Sequence, residues 1–193
     1  MTISTLDEKS ALLVVDLQKG IAGLPTAHPM VGVVASVVTL ADAFRGRGLP
    51  VVLINAEATA PGRTEQARSN IPMPPGWTDF LPELGQQASD HVVTKRTWGA
   101  FTGTDLEEYL NQHGVTQVVI AGVATSAGVE STARHAHELG FNVALATDAM
   151  TDRSVDAHDR SIKLIFPRLG ETGTSREIVE LLGGRARDVR DPL

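Results

Sequence analysis

Short segments with buried-strand character alternate with longer segments of helical periodicity along most of the chain. An unbroken apolar run is typical of a strand covered on both faces, whereas apolar positions three and four apart are typical of a helix packed on one side. Such an alternation predicts an α/β fold: a three-layer, doubly wound, mostly parallel sheet with helices on both faces. The predicted strands are Ala11–Val15, Val51–Ile54, His91–Thr94, Val118–Ala121, Phe141–Ala146 and Glu171–Gly173.

Length and composition limit the alternatives. With 193 residues, 42% of them hydrophobic, the chain has enough apolar material for one domain spanning residues 1–193. A net charge of −6 argues against a nucleic-acid partner. No apolar run approaches the roughly 20 residues that span a bilayer, and the first ten residues hold no apolar block, so no membrane partner and a cytoplasmic location are expected. The RARDVR segment near the C-terminus is predicted to be a solvated tail.

The stretch Val118–Ala136 is the most informative part of the chain. An apolar strand reaches Gly122, and after Thr125 and Ser126, which are good capping residues, a helical stripe begins. In a parallel α/β sheet this junction lies where ligands bind, because the helix start presents unpaired N–H groups and the positive end of its dipole. We therefore expect a ligand site at this turn.

Residues Gly122–Ala133, GVATSAGVESTA, resemble the isochorismatase-like hydrolases, also called the cysteine hydrolase superfamily. The pattern of most members is G-[IV]-x-T-x-x-C-V-x-x-T-A, in which the cysteine is the nucleophile. Gly128 occupies that position here, and the chain has no cysteine. Isochorismatases proper also have a glycine there and hydrolyse a vinyl ether without a covalent intermediate, so they are the closer analogue.

The resemblance extends to two further segments. Asp16, in D-x-Q with Gln18, matches the family's acid/base, and Lys95, followed by Ala100 and Phe101, matches its catalytic lysine. Without the family, Asp16 could equally cap a turn and Lys95 could simply reach solvent. The resemblance implies that Asp16, Lys95 and Gly128 are catalytic, and that Lys95 holds Asp16 together with a substrate carboxylate.

The same resemblance implies the remaining wall of the site. It implies a cis peptide at Val123–Ala124 that aims backbone N–H groups at a substrate oxygen. The predicted substrate-binding residues are Gln18, Glu57, Trp98, Phe101, Val123, Ala124 and Ser126.

No metal or cofactor is expected. Zinc-binding nicotinamidases carry D-x-H after the second strand, where this chain has Asn55, Ala56 and Glu57, and no cofactor-binding motif is present. The acidic residues of the segment 148–159 are attributed to helix starts rather than to a metal site.

Glu57 aligns with a glutamine of the isochorismatases. Its carboxylate is predicted to repel a dicarboxylate such as isochorismate and to share a proton with Asp16 near neutral pH.

Two structural questions stay open in the sequence. The segment Met30–Arg45 is apolar around most of its circumference, which predicts a helix at a subunit interface and a homodimer or higher homo-oligomer. Trp77 lies in a connection of more than 30 residues after the second strand. It either closes over the site as a lid or packs that connection onto the domain.

These residues predict a hydrolase of a small polar molecule, with Asp16 and Lys95 in acid–base hydrolysis of a vinyl ether or a related bond. One alternative is water-mediated amide or ester hydrolysis with Asp16 or Glu57 as the base. Ser126 is a poor nucleophile, since no histidine partner is evident. Another alternative is a catalytically silent protein that binds a small molecule, against which the retention of both Asp16 and Lys95 argues.

Overall fold

A computed structural model describes residues 3–60, 62–65 and 73–184 of the chain. Within these ranges the strands β1–β6 form one sheet in the order β3-β2-β1-β4-β5-β6, and every neighbouring pair is parallel. The strands are Ser10–Val15, Val51–Ala56, His91–Lys95, Gln117–Val123, Asn142–Thr151 and Glu171–Gly173. The α-helices α1–α6 are Lys19–Ala22, Met30–Arg45, Leu106–Gln112, Glu130–Glu138, Val155–Arg160 and Ser175–Gly184.

Two apolar cores lie on the two faces of the sheet. Because successive side chains of a strand point to opposite faces, Leu12 and Val14 of β1 join one core and Leu13 and Val15 join the other. Helices α2 and α6 cover the first face, whereas α3 and α4 cover the second. The predicted doubly wound α/β fold is confirmed.

The site edge of the sheet is built around one glycine. Gly122 has φ +114°, and a Cβ placed on it would lie 2.0 Å from the carbonyl oxygen of Val15. Glycine is the residue that tolerates both this φ and this contact. It lets the end of β4 press against the end of β1, at the point where the strand order reverses and ligands bind in such sheets.

Strand β5 is longer than predicted. Its pairing with β4 shifts register between Ile120 and Gly122 and then resumes at Met150, so β5 continues to Thr151 instead of ending at Ala146. An irregularity of this kind leaves no clear sequence pattern. Its consequence is that the residues after Thr151 reach the same edge as the ends of β1 and β4.

Helix α2 buries one stripe, which includes Val33, Val37, Leu40 and Phe44. It packs against the sheet and against α6 of the same chain, so the fold itself accounts for most of its apolar character. The subunit interface stays a prediction. None of the described helices has the length and apolar character needed to cross a membrane. The predicted RARDVR tail lies outside the described residues.

Candidate active site

Asp16 follows the last residue of β1 and is nearly buried, with 6% of its surface exposed. Its φ is +54°, in the left-handed region that aspartate enters more readily than most residues. Its backbone N–H donates to the carbonyl of Ile54 at 2.8 Å, which ties it to β2. The backbone turns out of the strand here, and unusual conformations of this kind are common at functional sites.

Lys95, the last residue of β3, reaches Asp16 from two strands away. Its Nζ donates to Asp16 Oδ2 at 2.8 Å and to the carbonyls of Thr97 and Trp98 at 3.2 and 2.9 Å. The lysine is only 2% exposed. An ammonium has three N–H donors, and all three are occupied. Lys95 therefore fixes Asp16 but has no donor left for a substrate carboxylate, which corrects that part of its predicted role.

The pKa of the Asp16 carboxyl is raised above its usual value. Burial is the main cause, because it penalises the charged form, and the nearby ammonium of Lys95 opposes the rise without cancelling it. Asp16 Oδ1 is buried and has no hydrogen-bond partner among the described residues. A carboxyl group in these surroundings suits proton donation at higher pH than an ordinary aspartate.

Gly128 lies directly opposite this carboxyl group. It belongs to a single π-helical turn, Thr125–Val129, which starts after the cis peptide Val123–Ala124 and leads into α4. A Cβ placed on Gly128 would lie 3.1 Å from Asp16 Oδ2 and 3.2 Å from the carbonyl oxygen of Val123. A bare α-carbon thus faces the acid where the resemblance places a cysteine in other members.

A cavity of about 210 Å³ opens onto this pair. Six of the predicted site residues line it: Asp16, Lys95, Trp98, Val123, Ala124 and Gly128. The remaining residues of the cavity wall were not predicted from the sequence: Ile21, Leu24, Thr26, Ala56, Ala58, Thr59, Thr97, Ala127 and Arg153.

Arg153 is the most important of the missed residues. The cavity wall is mainly apolar, and Arg153 is its third ionisable residue after Asp16 and Lys95. It is exposed, and its guanidinium forms no ion pair within the described part of the chain. No clear signal for it exists in the sequence, because the predicted strand ends at Ala146 and Arg153 reaches the carboxyl edge of the sheet through the extension of β5 to Thr151.

Gln18 does not line the cavity. Its side chain is fully buried, its Nε2 donates to the carbonyls of Ala56 and Trp77, and its Oε1 accepts from the N–H of Ala56. The predicted substrate contact is corrected to a structural one: Gln18 holds the end of β2 and the following connection together.

Phe101 is also in the protein core, where its ring lies 5.2 Å from that of His135 and 6.2 Å from that of Phe141. It helps to pack α4 onto the sheet and does not line the cavity, which corrects its predicted substrate contact.

Contrary to the prediction, neither Ser126 nor Thr125 caps the helix. Ser126 donates through its N–H and Oγ to Asp152 Oδ2, at 2.7 and 2.8 Å, and does not line the cavity. Thr125 Oγ1 pairs with Nδ1 of His158 at 2.8 Å. Ser126 thus holds the turn to the β5–α5 connection and Thr125 holds it to α5. Asp152 and His158 are buried partners that the local sequence does not reveal.

Glu57 points away from the acid. Its carboxylate pairs with the exposed side chain of Arg96 at 2.5 Å, and Glu57 is absent from the cavity wall. The predicted proton-sharing pair of Asp16 and Glu57 is therefore not formed. The predicted repulsion of a dicarboxylate loses its basis for the same reason.

Trp77 packs the long connection onto the domain and does not cover the cavity. A Cβ placed on Gly20 would lie 2.1 Å from the indole ring, so the ring rests on the backbone of α1. Of its two predicted roles, as a lid or as a packing residue, Trp77 has the packing role. Trp98 instead stands in the cavity wall, with 61% of its surface exposed.

The acidic residues after β5 have partners of their own. Asp148 accepts from the N–H and Oγ of Ser175 at the start of α6, and Asp159 pairs with Lys163. Within the described ranges, no group of three or more metal-binding side chains comes together.

The doubly wound sheet, with an aspartate–lysine pair facing the turn after β4, defines the class of the protein. A model of the isochorismatase domain matches residues 10–177, and the chain belongs to the isochorismatase family.

Similar proteins cover nearly the whole chain. YwoC, an uncharacterized isochorismatase family protein of Bacillus subtilis (strain 168), is 40% identical over 180 residues, which are 90% of this chain and 94% of that protein. The solved structure of an isochorismatase family protein from Burkholderia thailandensis has a TM-score of 0.90 and 41% identity, covering 94% of this chain and 100% of that one. Nicotinamidase 3 of Arabidopsis thaliana is 31% identical over 160 residues, covering 79% of this chain and 78% of that protein.

Proposed function

We propose that the chain is a hydrolase that cleaves the vinyl ether bond of a small anionic molecule by acid–base catalysis, without a covalent intermediate. The observation that carries the proposal is the contact of Asp16 with Gly128: a buried carboxyl group of raised pKa lies against a bare glycine in the wall of the cavity. A sequence without cysteine offers no thiolate for covalent catalysis.

The reaction uses one carboxyl group twice. Protonated Asp16 gives its proton to the terminal carbon of the vinyl ether, which forms an oxocarbenium ion. Water adds to that cation and returns a proton to the Asp16 carboxylate, and the resulting hemiketal collapses to an alcohol and a carbonyl compound. General acid catalysis supplies roughly 100- to 10,000-fold, and positioning of the substrate in the cavity supplies the rest.

Lys95 serves this cycle by fixing Asp16. With all three donors engaged, its ammonium holds the carboxylate oxygen that faces Gly128 and stabilises the ionised form left after proton donation. The raised pKa then favours reprotonation before the next turnover.

The charge of the cavity indicates an anionic substrate. Asp16 is neutral in the form that donates the proton, so Lys95 and Arg153 leave the mainly apolar wall with a positive charge. A guanidinium binds a carboxylate through two parallel hydrogen bonds. Trp98 offers a flat apolar surface whose exposure is reduced when a planar substrate covers it.

Water-mediated hydrolysis of an amide or ester is the second candidate, with Asp16 as the base. Its support is the similarity to Nicotinamidase 3, whose name denotes action on an amide. A protein that binds such a molecule without turning it over is the third candidate. The three candidates predict different effects of replacing Asp16 on substrate turnover.

The test is turnover of a panel of vinyl ether, amide and ester carboxylates by the wild type and Asp16→Asn. The proposal predicts turnover of a vinyl ether that falls at least 100-fold in Asp16→Asn. Asp79→Asn is the matched control, because Asp79 is also paired with a lysine, at 2.9 Å, but is exposed. Turnover of amides or esters alone would favour the second candidate. Binding without any Asp16-dependent turnover would favour the third.

A further inference from the structure

Asp152 holds the turn that carries Gly128 without lining the cavity. Its Oδ2 accepts both the N–H and the Oγ–H of Ser126, and its side chain is buried, with the residue 5% exposed. Ala124, which precedes the turn, has no side-chain acceptor and makes no capping bond. A capping side chain ordinarily comes from the residue that precedes the helix. Here Asp152, just after β5, accepts the hydrogen bond from the N–H at the start of the turn instead.

The same residue ties down two other parts of the cavity wall. Asp152 Oδ1 accepts the N–H of Arg153 at 2.7 Å, which fixes the backbone of the cavity's unpaired cation. The carbonyl oxygen of Asp152 accepts the N–H of Ala27 at 2.7 Å. That bond anchors the loop that brings Leu24 and Thr26 to the cavity.

The position of the turn sets how closely the turn packs against the carboxyl group of Asp16. The site of a Cβ on Gly128 is 3.1 Å from Asp16 Oδ2, so a small movement of the turn changes the space beside the acid. Displacements of about 1 Å in an active site can cost about 100-fold in rate.

We propose that Asp152 is a positioning residue, which sets the turn Thr125–Val129 and the backbone of Arg153 relative to Asp16 and does not touch the substrate. Its effect on catalysis rests on the proposed function. Its effect on the geometry around Asp16 does not rest on the proposed function. The effect on catalysis and the effect on geometry are therefore measured separately.

Asp148, which lies in β5 four residues before Asp152, provides a matched control. Its carboxylate also accepts the N–H and Oγ of a serine at the start of a helix, at 2.6 Å each, but that serine is Ser175 of α6. Asp148 and Ser175 are absent from the cavity wall. A loss of helix capping alone is therefore common to Asp148→Asn and Asp152→Asn, whereas a change in the cavity belongs to Asp152→Asn.

The first measurement is steady-state kinetics on the vinyl ether substrate. An asparagine at position 152 turns its NH₂ group toward the donors of Ser126 or of Arg153, so one set of hydrogen bonds is lost. We expect kcat/KM to fall about 100-fold in Asp152→Asn and to stay within about twofold of the wild type in Asp148→Asn, at comparable losses in Tm.

The second measurement needs no turnover: the NMR shift of the Gly128 amide is followed against pH. In the wild type it reports a titration of Asp16 above the usual range of an aspartate. In Asp152→Asn the midpoint moves to lower pH, because a loosened turn admits water to the carboxyl group. Asp148→Asn keeps the wild-type midpoint.

The outcomes separate the two proposals. If the wild type turns over none of the substrates, the proposed function fails, and the Gly128 titration still tests Asp152. If Asp152→Asn matches Asp148→Asn in the titration, the positioning role is overturned. If Asp152→Asn does not fold, Ser126→Ala, which removes the hydroxyl bond alone, replaces it. A smaller shift in the same direction supports the role, and an unchanged midpoint overturns it.

Discussion

Adding one methyl group at Gly128 tests whether catalysis depends on the close packing of the turn against Asp16. In Gly128→Ala the new Cβ would lie 3.1 Å from both Asp16 Oδ2 and Val15 Cγ1, and 3.2 Å from the carbonyl oxygen of Val123. Each contact requires a neighbour to move by a few tenths of an ångström. The φ of Gly128 is outside the left-handed region, so the backbone adds no strain.

The cost in stability follows from two opposing effects. Inserting a methylene into a packed site costs about 1–3 kcal/mol, and alanine in a helical segment regains about 1 kcal/mol relative to glycine. The free energy of unfolding should fall by about 0–2 kcal/mol, so the variant folds. The methyl group displaces the Asp16 carboxyl group from its position at the cavity, and we expect kcat/KM to fall about 100-fold.

The assay pairs urea denaturation with kinetics on the vinyl ether substrate. Gly32→Ala is the matched control, because Gly32 lies in α2 and a Cβ there meets nothing within 4 Å. That variant should be as active as the wild type and equally or more stable. A Gly128→Ala variant with wild-type kcat/KM would refute the reasoning, since the placement of Asp16 against the turn would then play no part in catalysis.

Two further substitutions test the charges of the site. Lys95→Met leaves the Asp16 carboxylate buried without its partner, which raises the pKa of Asp16 further. The variant should therefore lose about 3–5 kcal/mol at pH 8 and less at pH 5, because a lower pH favours the protonated acid, which needs no charged partner. Urea denaturation at both pH values measures this, and equal losses would argue against it. Arg153→Gln should raise KM for a carboxylate substrate about 10-fold or more while leaving the KM for its neutral methyl ester unchanged, and equal effects on both would exclude a charge contact.

The fold and the location of Asp16, Lys95 and Gly128 could be predicted from the sequence for a simple reason. Asp16 directly follows β1, Lys95 ends β3 and Gly128 lies in the turn after β4. The carboxyl ends of parallel strands share one edge of the sheet, whereas the roles of the three residues came from the family resemblance. The position of such a residue along the chain therefore places it at this edge of the sheet, independently of how its neighbours pack.

The direction in which a side chain points is what the sequence did not reveal. Gln18 and Glu57 also stand at strand ends, but one is engaged by backbone groups and the other by Arg96. Arg153 was missed because an irregularity in β5 brings it to the site, and Asp152 because its partner Ser126 is 26 residues away. These contacts depend on tertiary structure.

The most direct test of the central claim is the pH dependence of kcat/KM for vinyl ether hydrolysis by the wild type and Asp16→Asn. In the proposed mechanism the active form carries a protonated Asp16, whose pKa is raised by burial. Activity should therefore be constant at low pH and fall as pH rises through a midpoint above the usual aspartate range, and this limb should disappear in Asp16→Asn. A wild-type rate that rises with pH through the same range, or an identical limb in Asp16→Asn, would contradict the account.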